Sequence, residues 1–182
     1  MTTKGRYTKG FTLVELLVVI AIIAVMAAAL FMVINPANLM KKTRDSRRIS
    51  EMAEVNKAIA GALADSKLTP PVAAMAVRDS CGTPTYTVLG AGWVGGWTGT
   101  LADFMPVLPR DPKASPNVAP NCYYFTMSTL GTWELDVVLE SFDNANLAIN
   151  DGGTSGTAAT CTAALMPSVA CRYEIGTNLT LI

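Results

Sequence analysis

The sequence predicts an α+β fold: a long N-terminal α-helix, membrane-spanning at its start, packed on a small antiparallel β-sheet head. Three observations predict it. From Leu16 to Ile34 there are 19 residues without a polar side chain. Over residues 37–66 apolar side chains recur at spacings of three and four. After Leu68 the chain becomes rich in Thr, Gly, Ala, Asn and Pro, with short alternating runs between turn residues, as in exported β-rich domains.

The first element begins with residues 1–10, MTTKGRYTKG, which hold three basic groups and no acid. The apolar run that follows spans most of a bilayer's ~30 Å hydrocarbon core at about 1.5 Å per residue. A secretory signal cut near Ala27–Ala29 fits poorly, because such apolar regions run to only about 7–15 residues. That reading also leaves Glu15 unexplained, since an acid at the centre of an inserted helix costs on the order of 3 kcal/mol. A plain membrane anchor explains the length and again leaves Glu15 without a reason.

The string Lys9-Gly10-Phe11-Thr12-Leu13-Val14-Glu15-Leu16 accounts for both. With its basic leader and long apolar helix, it resembles the cleavage and assembly motif of type IV prepilins and pseudopilins, over residues 5–34. The resemblance implies that a prepilin peptidase cuts after Gly10 and that the new N-terminal residue, Phe11, is methylated. A carboxylate in apolar surroundings needs a partner. No Lys or Arg lies within the run, so the nearest cation is the α-amine that cutting gives Phe11, offered by a neighbouring subunit. Glu15 also lies in the first helical turn, where the macrodipole favours an anion by about 0.3–1 kcal/mol. That is too little to offset membrane burial.

The implied organisation is a leader at 1–10, a transmembrane and fibre-core helix at 11–35, its amphipathic continuation at 36–67, and a disulfide-stapled head at 68–182. Asn35-Pro36 predicts a kink or locally melted segment. In the resembled family the helix-breaking proline falls earlier, near Met32, so Pro36 departs from the pattern. Beyond it Leu39, Met40, Ile49, Met52, Val55, Ile59 and Leu63 form the apolar stripe, with one gap at Thr43–Ser46. Glu51, Glu54, Lys57 and Asp65 take the other face, and Thr69-Pro70-Pro71 ends the helix, about 55 residues in all.

Residues 1–67 carry ten Lys and Arg against five acids, and residues 68–182 four against nine, so the halves are about +5 and −5. A basic stem beneath an acidic head suits subunits stacked at staggered heights. Lys41, Lys42, Arg44, Arg47 and Arg48 cluster just past the membrane, against the positive-inside rule. The motif and the cysteines still place the leader inside. The cluster reads as head-group contact or a solvated face, or as a partner for acids of an adjacent head. Nucleic-acid binding, found in some members of the resembled superfamily, would rest on this cluster alone and is not expected.

Cys81, Cys122, Cys161 and Cys171 all follow the apolar run. Carried to an oxidising space they form two disulfides, with three connectivities open. The favoured one joins Cys161–Cys171 across a short loop and Cys81–Cys122 across the middle of the head. Zinc is the competing reading, but with no histidine and no C-x2-C pair it is not expected.

In the head, Thr85–Leu89, Asn121–Met127 and Trp133–Glu140 read as strands. In the last, Trp133, Leu135, Val137 and Leu139 share one face. A hairpin crosses Ser128–Thr132 with Gly131 in the turn, and a fourth strand lies at Arg172–Ile175 or Leu179–Ile182. Leu108-Pro109-Arg110-Asp111-Pro112 resembles a segment that precedes the sheet of pseudopilins and related pilins. Gly90–Trp97 reads as a loop whose tryptophans bury against the stem.

No cofactor is expected. Asp143, Asn146 and Asp151 offer oxygen atoms that a calcium ion could use, as in a loop of some pseudopilins, but Asn, Asp and Gly are also ordinary turn residues. Asn178-Leu-Thr180 matches a glycosylation acceptor. With no histidine, no G-x-S-x-G and no phosphate loop, no enzyme is expected.

The resemblance therefore implies a structural subunit of a type IV pilus-like extracellular fibre, a helical homo-oligomer. It implies a cytoplasmic-membrane pool, and partners in the prepilin peptidase, an inner-membrane assembly platform and other minor pilins. The alternatives are a pseudopilin of a type II secretion-like system, or a minor or tip pilin that binds DNA or surfaces.

Overall fold

The computed structural model describes residues 10–33, 35–82, 86–113 and 122–182. The leader residues 1–9, Ile34, Thr85 and Asn121, each part of an expectation above, lie outside the described residues. The chain divides into two compact units, Met1–Leu39 and Met40–Ile182.

In the first unit, α1 (Leu13–Val33) is a 21-residue helix, about 31 Å long at 1.5 Å per residue. Its apolar composition has no polar face, and its described large apolar side chains are exposed. The second helix, α2 (Pro36–Ala64), starts at the proline. Asn35 Oδ1 accepts the N–H groups of Ala37 at 3.1 Å and Asn38 at 3.3 Å. Pro36 lacks the one donor a first helical position cannot use, so it opens this helix with Asn35 as its cap.

In the second unit α2 buries Asp45, Arg48, Met52, Val55, Ala58, Ile59 and Ala62. The predicted apolar gap is therefore filled by a charged pair in the same three–four rhythm, and Leu39 and Met40 are exposed rather than part of the stripe. The helix stops before the predicted Thr69–Pro71. Ser66 takes φ 56°, Lys67 N–H reaches Ala62 O at 2.8 Å and Ser66 N–H reaches Leu63 O at 3.1 Å. This is a Schellman closure with serine in the left-handed position.

Two-residue strands β1 (Leu68–Thr69) and β3 (Thr98–Gly99) pair as a small ribbon. The main sheet is antiparallel, in the order β2 (Arg78–Asp79), β4 (Tyr123–Met127), β5 (Trp133–Val138), β6 (Arg172–Gly176). The β4–β5 hairpin turns at Gly131, with φ 78°. Of the expected fourth-strand segments, Arg172–Ile175 is the one that pairs. Residues 86–89 form no strand. Their carbonyls at Tyr86 and Val88 instead receive the N–H groups of Leu108 and Leu101, both at 2.9 Å, because the 86–108 loop folds back on itself.

The core gathers Met52, Val55 and Ile59 of α2 with Tyr123, Phe125, Leu135 and Val137 of the sheet and Trp93 and Trp97 of the loop. Trp93 Nε1 donates to Pro109 O at 3.1 Å and Trp133 Nε1 to Asn56 Oδ1 at 2.8 Å. The opposite face of β5, with Glu134 and Asp136, is buried as well. The Leu181 and Ile182 N–H groups donate to Glu134 there, and those of Thr154 and Ser155 donate to Glu174 on the neighbouring β6. Between the last two strands run a 3-10 turn (Phe142–Asn144) and the short α3 (Ala145–Ile149).

Candidate functional site

Gly10 and Phe11 are exposed, and a side chain added at Gly10 would meet nothing within 4 Å. Thr12 stands one residue before α1, and Glu15 three residues later. Thr12 N–H donates to Glu15 Oε2 at 2.9 Å and Thr12 Oγ1 donates to the same oxygen at 2.9 Å. In return Glu15 N–H donates to Thr12 Oγ1 at 3.2 Å. This is a reciprocal capping box, worth on the order of 1 kcal/mol. The signal was in the sequence: Thr-x-x-Glu immediately before an apolar run. Glu15 is thus held by its own chain and lies one helical turn from Phe11.

The basic residues after the apolar segment divide: Lys42 and Arg47 stay exposed, as a solvated face requires, while Arg44 and Arg48 turn into the fold. Arg48 is fully buried and contacts Asp45 at 2.9 Å, Asp111 at 2.7 Å and Glu140 at 2.6 Å. Arg44 meets Glu140 at 2.7 Å, and Lys113 meets it at 3.3 Å. Arg47 pairs with Glu51 on its own helix, and Lys42 pairs with Asp143. The acids that engage this cluster belong to the same chain: Asp45 and Glu51 of α2, and Asp111, Glu140 and Asp143 of the head. Asp45 also accepts the N–H groups of Glu140 and Ser141, both at 2.8 Å. Three cations and three carboxylates therefore balance inside the head, which is the condition for burying charge. The Arg44 and Arg48 guanidiniums hold the Glu140 carboxyl down at about 2 against the opposing effect of burial.

Asp111, from the Leu108–Pro112 segment, is the distal end of this network. Its two oxygens take the Nε and Nη2 donors of Arg48 as a fork, and Oδ1 also accepts Lys113 N–H at 2.8 Å. The two prolines and this fork tie the segment to α2.

The pairs Cys81–Cys122 and Cys161–Cys171 are disulfide-bonded. The first joins β2's end to β4's start across 41 residues of sequence. The second closes a 10-residue loop beside β6. The three calcium candidates are engaged separately. Asp143 is paired with Lys42. The backbone of Asn146 accepts Asn150 Nδ2. Asp151 accepts the N–H groups of Gly153 and Glu174. Among the described residues, the fold instead brings Glu134, Asp136 and Glu174 together. Strand alternation hid them, because a period-two pattern assigns them to solvent. In the candidate glycosylation triplet, Thr180 Oγ1 donates to Asn178 Oδ1 at 2.8 Å.

Comparison with known proteins returns one finding. Residues 5–31 match the family described as a prokaryotic N-terminal methylation motif. No curated protein and no solved structure matches the chain. The matched residues run from the basic leader through the capping box into the exposed apolar helix, so the chain carries the N-terminal signature of type IV pilins and pseudopilins.

Proposed function

We propose that this chain is the structural subunit of a type IV pilus-like extracellular fibre. A prepilin peptidase cuts it after Gly10 and methylates Phe11. The helix over 11–35 holds it in the cytoplasmic membrane until an assembly platform adds it to the fibre through that helix. The observation that carries this reading is a methylation motif standing directly before a helix long and apolar enough to cross a membrane, with none of the span Leu13–Leu30 buried. Such a helix needs either lipid or a neighbouring helix around it.

Glu15 acts in two settings. In the uncut chain the capping box supplies its donors. After cutting, the α-amine of Phe11 on a neighbouring subunit supplies the opposite charge in an apolar surrounding, where such a pair is strongest. The head, residues 68–182, is carried outward with its disulfides, and residues 36–67 form the stem that its core is built on. This is a structural role, and the motif points away from an enzyme.

A pseudopilin of a type II secretion-like system is the second reading, favoured by the Leu108–Pro112 segment and its fork to Arg48. The minor-pilin reading with DNA as ligand is weakened, since Arg44 and Arg48 are ion-paired with acids of the head and are not on the open surface with Lys42 and Arg47.

The test is intact mass and N-terminal sequencing of the protein recovered from the cell exterior. A chain starting at methylated Phe11, lighter by the four hydrogens of two disulfides, is expected. Abundance in sheared fibres then separates pilin from pseudopilin. A chain starting near Leu30 would end the fibre reading.

A further inference from the structure

The sheet face turned away from α2 carries an arrangement that the fibre role does not use. Glu134 and Asp136 are two residues apart on β5 and so share a face. Glu174 stands opposite Asp136 on β6. One carboxylate oxygen from each lies within 4.8 Å of the other two. The three residues are 0%, 0% and 2% exposed.

Four of their six oxygens have partners. Glu174 Oε2 and Oε1 accept the N–H groups of Thr154 at 2.7 Å and Ser155 at 2.6 Å. Glu134 Oε2 accepts those of Leu181 at 2.5 Å and Ile182 at 2.9 Å. Asp136 Oδ2 accepts Arg172 Nη1 at 3.1 Å. The other two, Glu134 Oε1 and Asp136 Oδ1, are buried with no hydrogen-bond partner among the described residues. Arg172 is the one cation contacting the cluster among the described residues, and it is also committed to Val169 O at 2.7 Å and to the Tyr124 ring. Three carboxylates against one guanidinium leave two negative charges unmatched.

We propose that Glu134, Asp136 and Glu174 form a site for one hard divalent cation, with the two unpartnered oxygens as its inner ligands. Every donor is a carboxylate oxygen, the ligand type of calcium and magnesium and a poor one for softer metals. Two oxygens on opposite sides of a calcium ion lie about 4.8 Å apart at ~2.4 Å per bond, so the cluster fits within one coordination sphere. A divalent ion matches the unbalanced charge, which the balanced Arg48 network does not require. The site is distinct from Asp143, Asn146 and Asp151.

The only other way to relieve the charge is protonation. Burial, with the neighbouring carboxylates, pushes Asp136 up to about 8 and raises Glu134. A proton and a metal would then compete for the same oxygens.

The ion would organise what covers it. The amides of Thr154 and Ser155 and of Leu181 and Ile182 are the outer walls. Gly153 admits them, because a side chain there would stand 1.1 Å from Glu174 Oε2. The cation therefore links the last two strands to two otherwise irregular segments.

The experiment uses the full chain in detergent micelles, dialysed against calcium alone, with amide hydrogen exchange read in parallel. One calcium per chain is expected, with exchange at residues 154–155 and 181–182 slowed by about tenfold or more. Asp136→Asn and Glu134→Gln should weaken binding by about tenfold or more, and Asp143→Asn should not. No calcium bound to the wild-type chain at millimolar concentration overturns the proposal. So does binding that survives Asp136→Asn and is lost in Asp143→Asn. Should Asp136→Asn fail to fold, the wild-type exchange map decides: protection confined to residues 143–150 overturns the site.

Discussion

The head buries charge in two places, and the two differ in kind. Around Arg48 three cations meet three carboxylates, and the guanidinium makes a two-bond fork to Asp111. On the far face of the sheet, among the described residues, three carboxylates meet one arginine and two oxygens are left without donors. The first cluster is complete as it stands. The second is complete only with a proton or a cation. Burial alone does not distinguish them. What distinguishes them is the count of opposite charges and donors within reach, which decides whether a buried ion is structural glue or a site.

The largest expected effect comes from breaking the balanced cluster. Arg48→Met leaves Asp45, Asp111 and Glu140 facing one another, and should cost about 3–5 kcal/mol in denaturant unfolding of the head. Removing Cys81–Cys122 with a double serine variant should cost ~4 kcal/mol by the same measurement, from the 41-residue separation it closes. A loss below about 1 kcal/mol for Arg48→Met would mean the network is weaker than its geometry implies. By contrast, Asp136 without calcium is mostly protonated at neutral pH, so Asp136→Asn replaces one neutral buried group by another. Without calcium at neutral pH it should change stability by no more than about 1 kcal/mol.

The comparison sharpens with pH, and the two clusters should respond with opposite signs. Glu140 has its pKa depressed to about 2 in the folded head. Its contribution is present above the ordinary carboxylate range and is lost as pH falls from about 4.5 towards 2. Asp136 is raised to about 8, in the company of Glu134, Glu174, Arg172, Tyr124 and the nearby Asp151. The folded head binds its proton more tightly than the unfolded chain. Stability from this group is therefore full below about 4 and declines as pH rises to about 8. A melting-temperature profile without calcium should rise, then fall, across that range. Calcium should flatten the falling limb; a profile that is flat from pH 5 to 8 without calcium would contradict the assignment.

The smallest effects belong to the exposed groups. Thr12→Ala removes the reciprocal cap of α1 and should cost about 1 kcal/mol, read as faster amide exchange over residues 12–16 in micelles. Lys42→Ala breaks an ion pair whose side chains are 46% and 55% exposed, so a change within about 0.5 kcal/mol is expected.

Some of this was legible from residue order alone. An unbroken apolar run needs no tertiary partner to be a helix, and α1 forms where the run lies. The β4–β5 hairpin was legible because alternation and Gly131 agree on it. Other parts were hidden for physical reasons. The strands β1, β2 and β3 are two residues each, too short to show any period. Asp45 and Arg48 stand at core positions of α2, at the same spacing as Met52 and Val55, but charge made them look like surface. Residue order alone makes the basic cluster a face for membrane or neighbours, because the acids that meet Arg48 include residues 111 and 140, far along the chain.

By itself, then, the sequence determined the processing motif, the apolar helix, the two-part build and the cysteines available for oxidation. These are local properties, written in neighbouring residues and in a lack of polar groups. The tertiary structure alone decided which charges are buried together, because that depends on folding Asp111, Glu140, Arg172 and Glu174 onto elements many residues away. Hydrophobic pattern selects the faces that meet, and only the meeting assigns each buried charge its partner or leaves it without one.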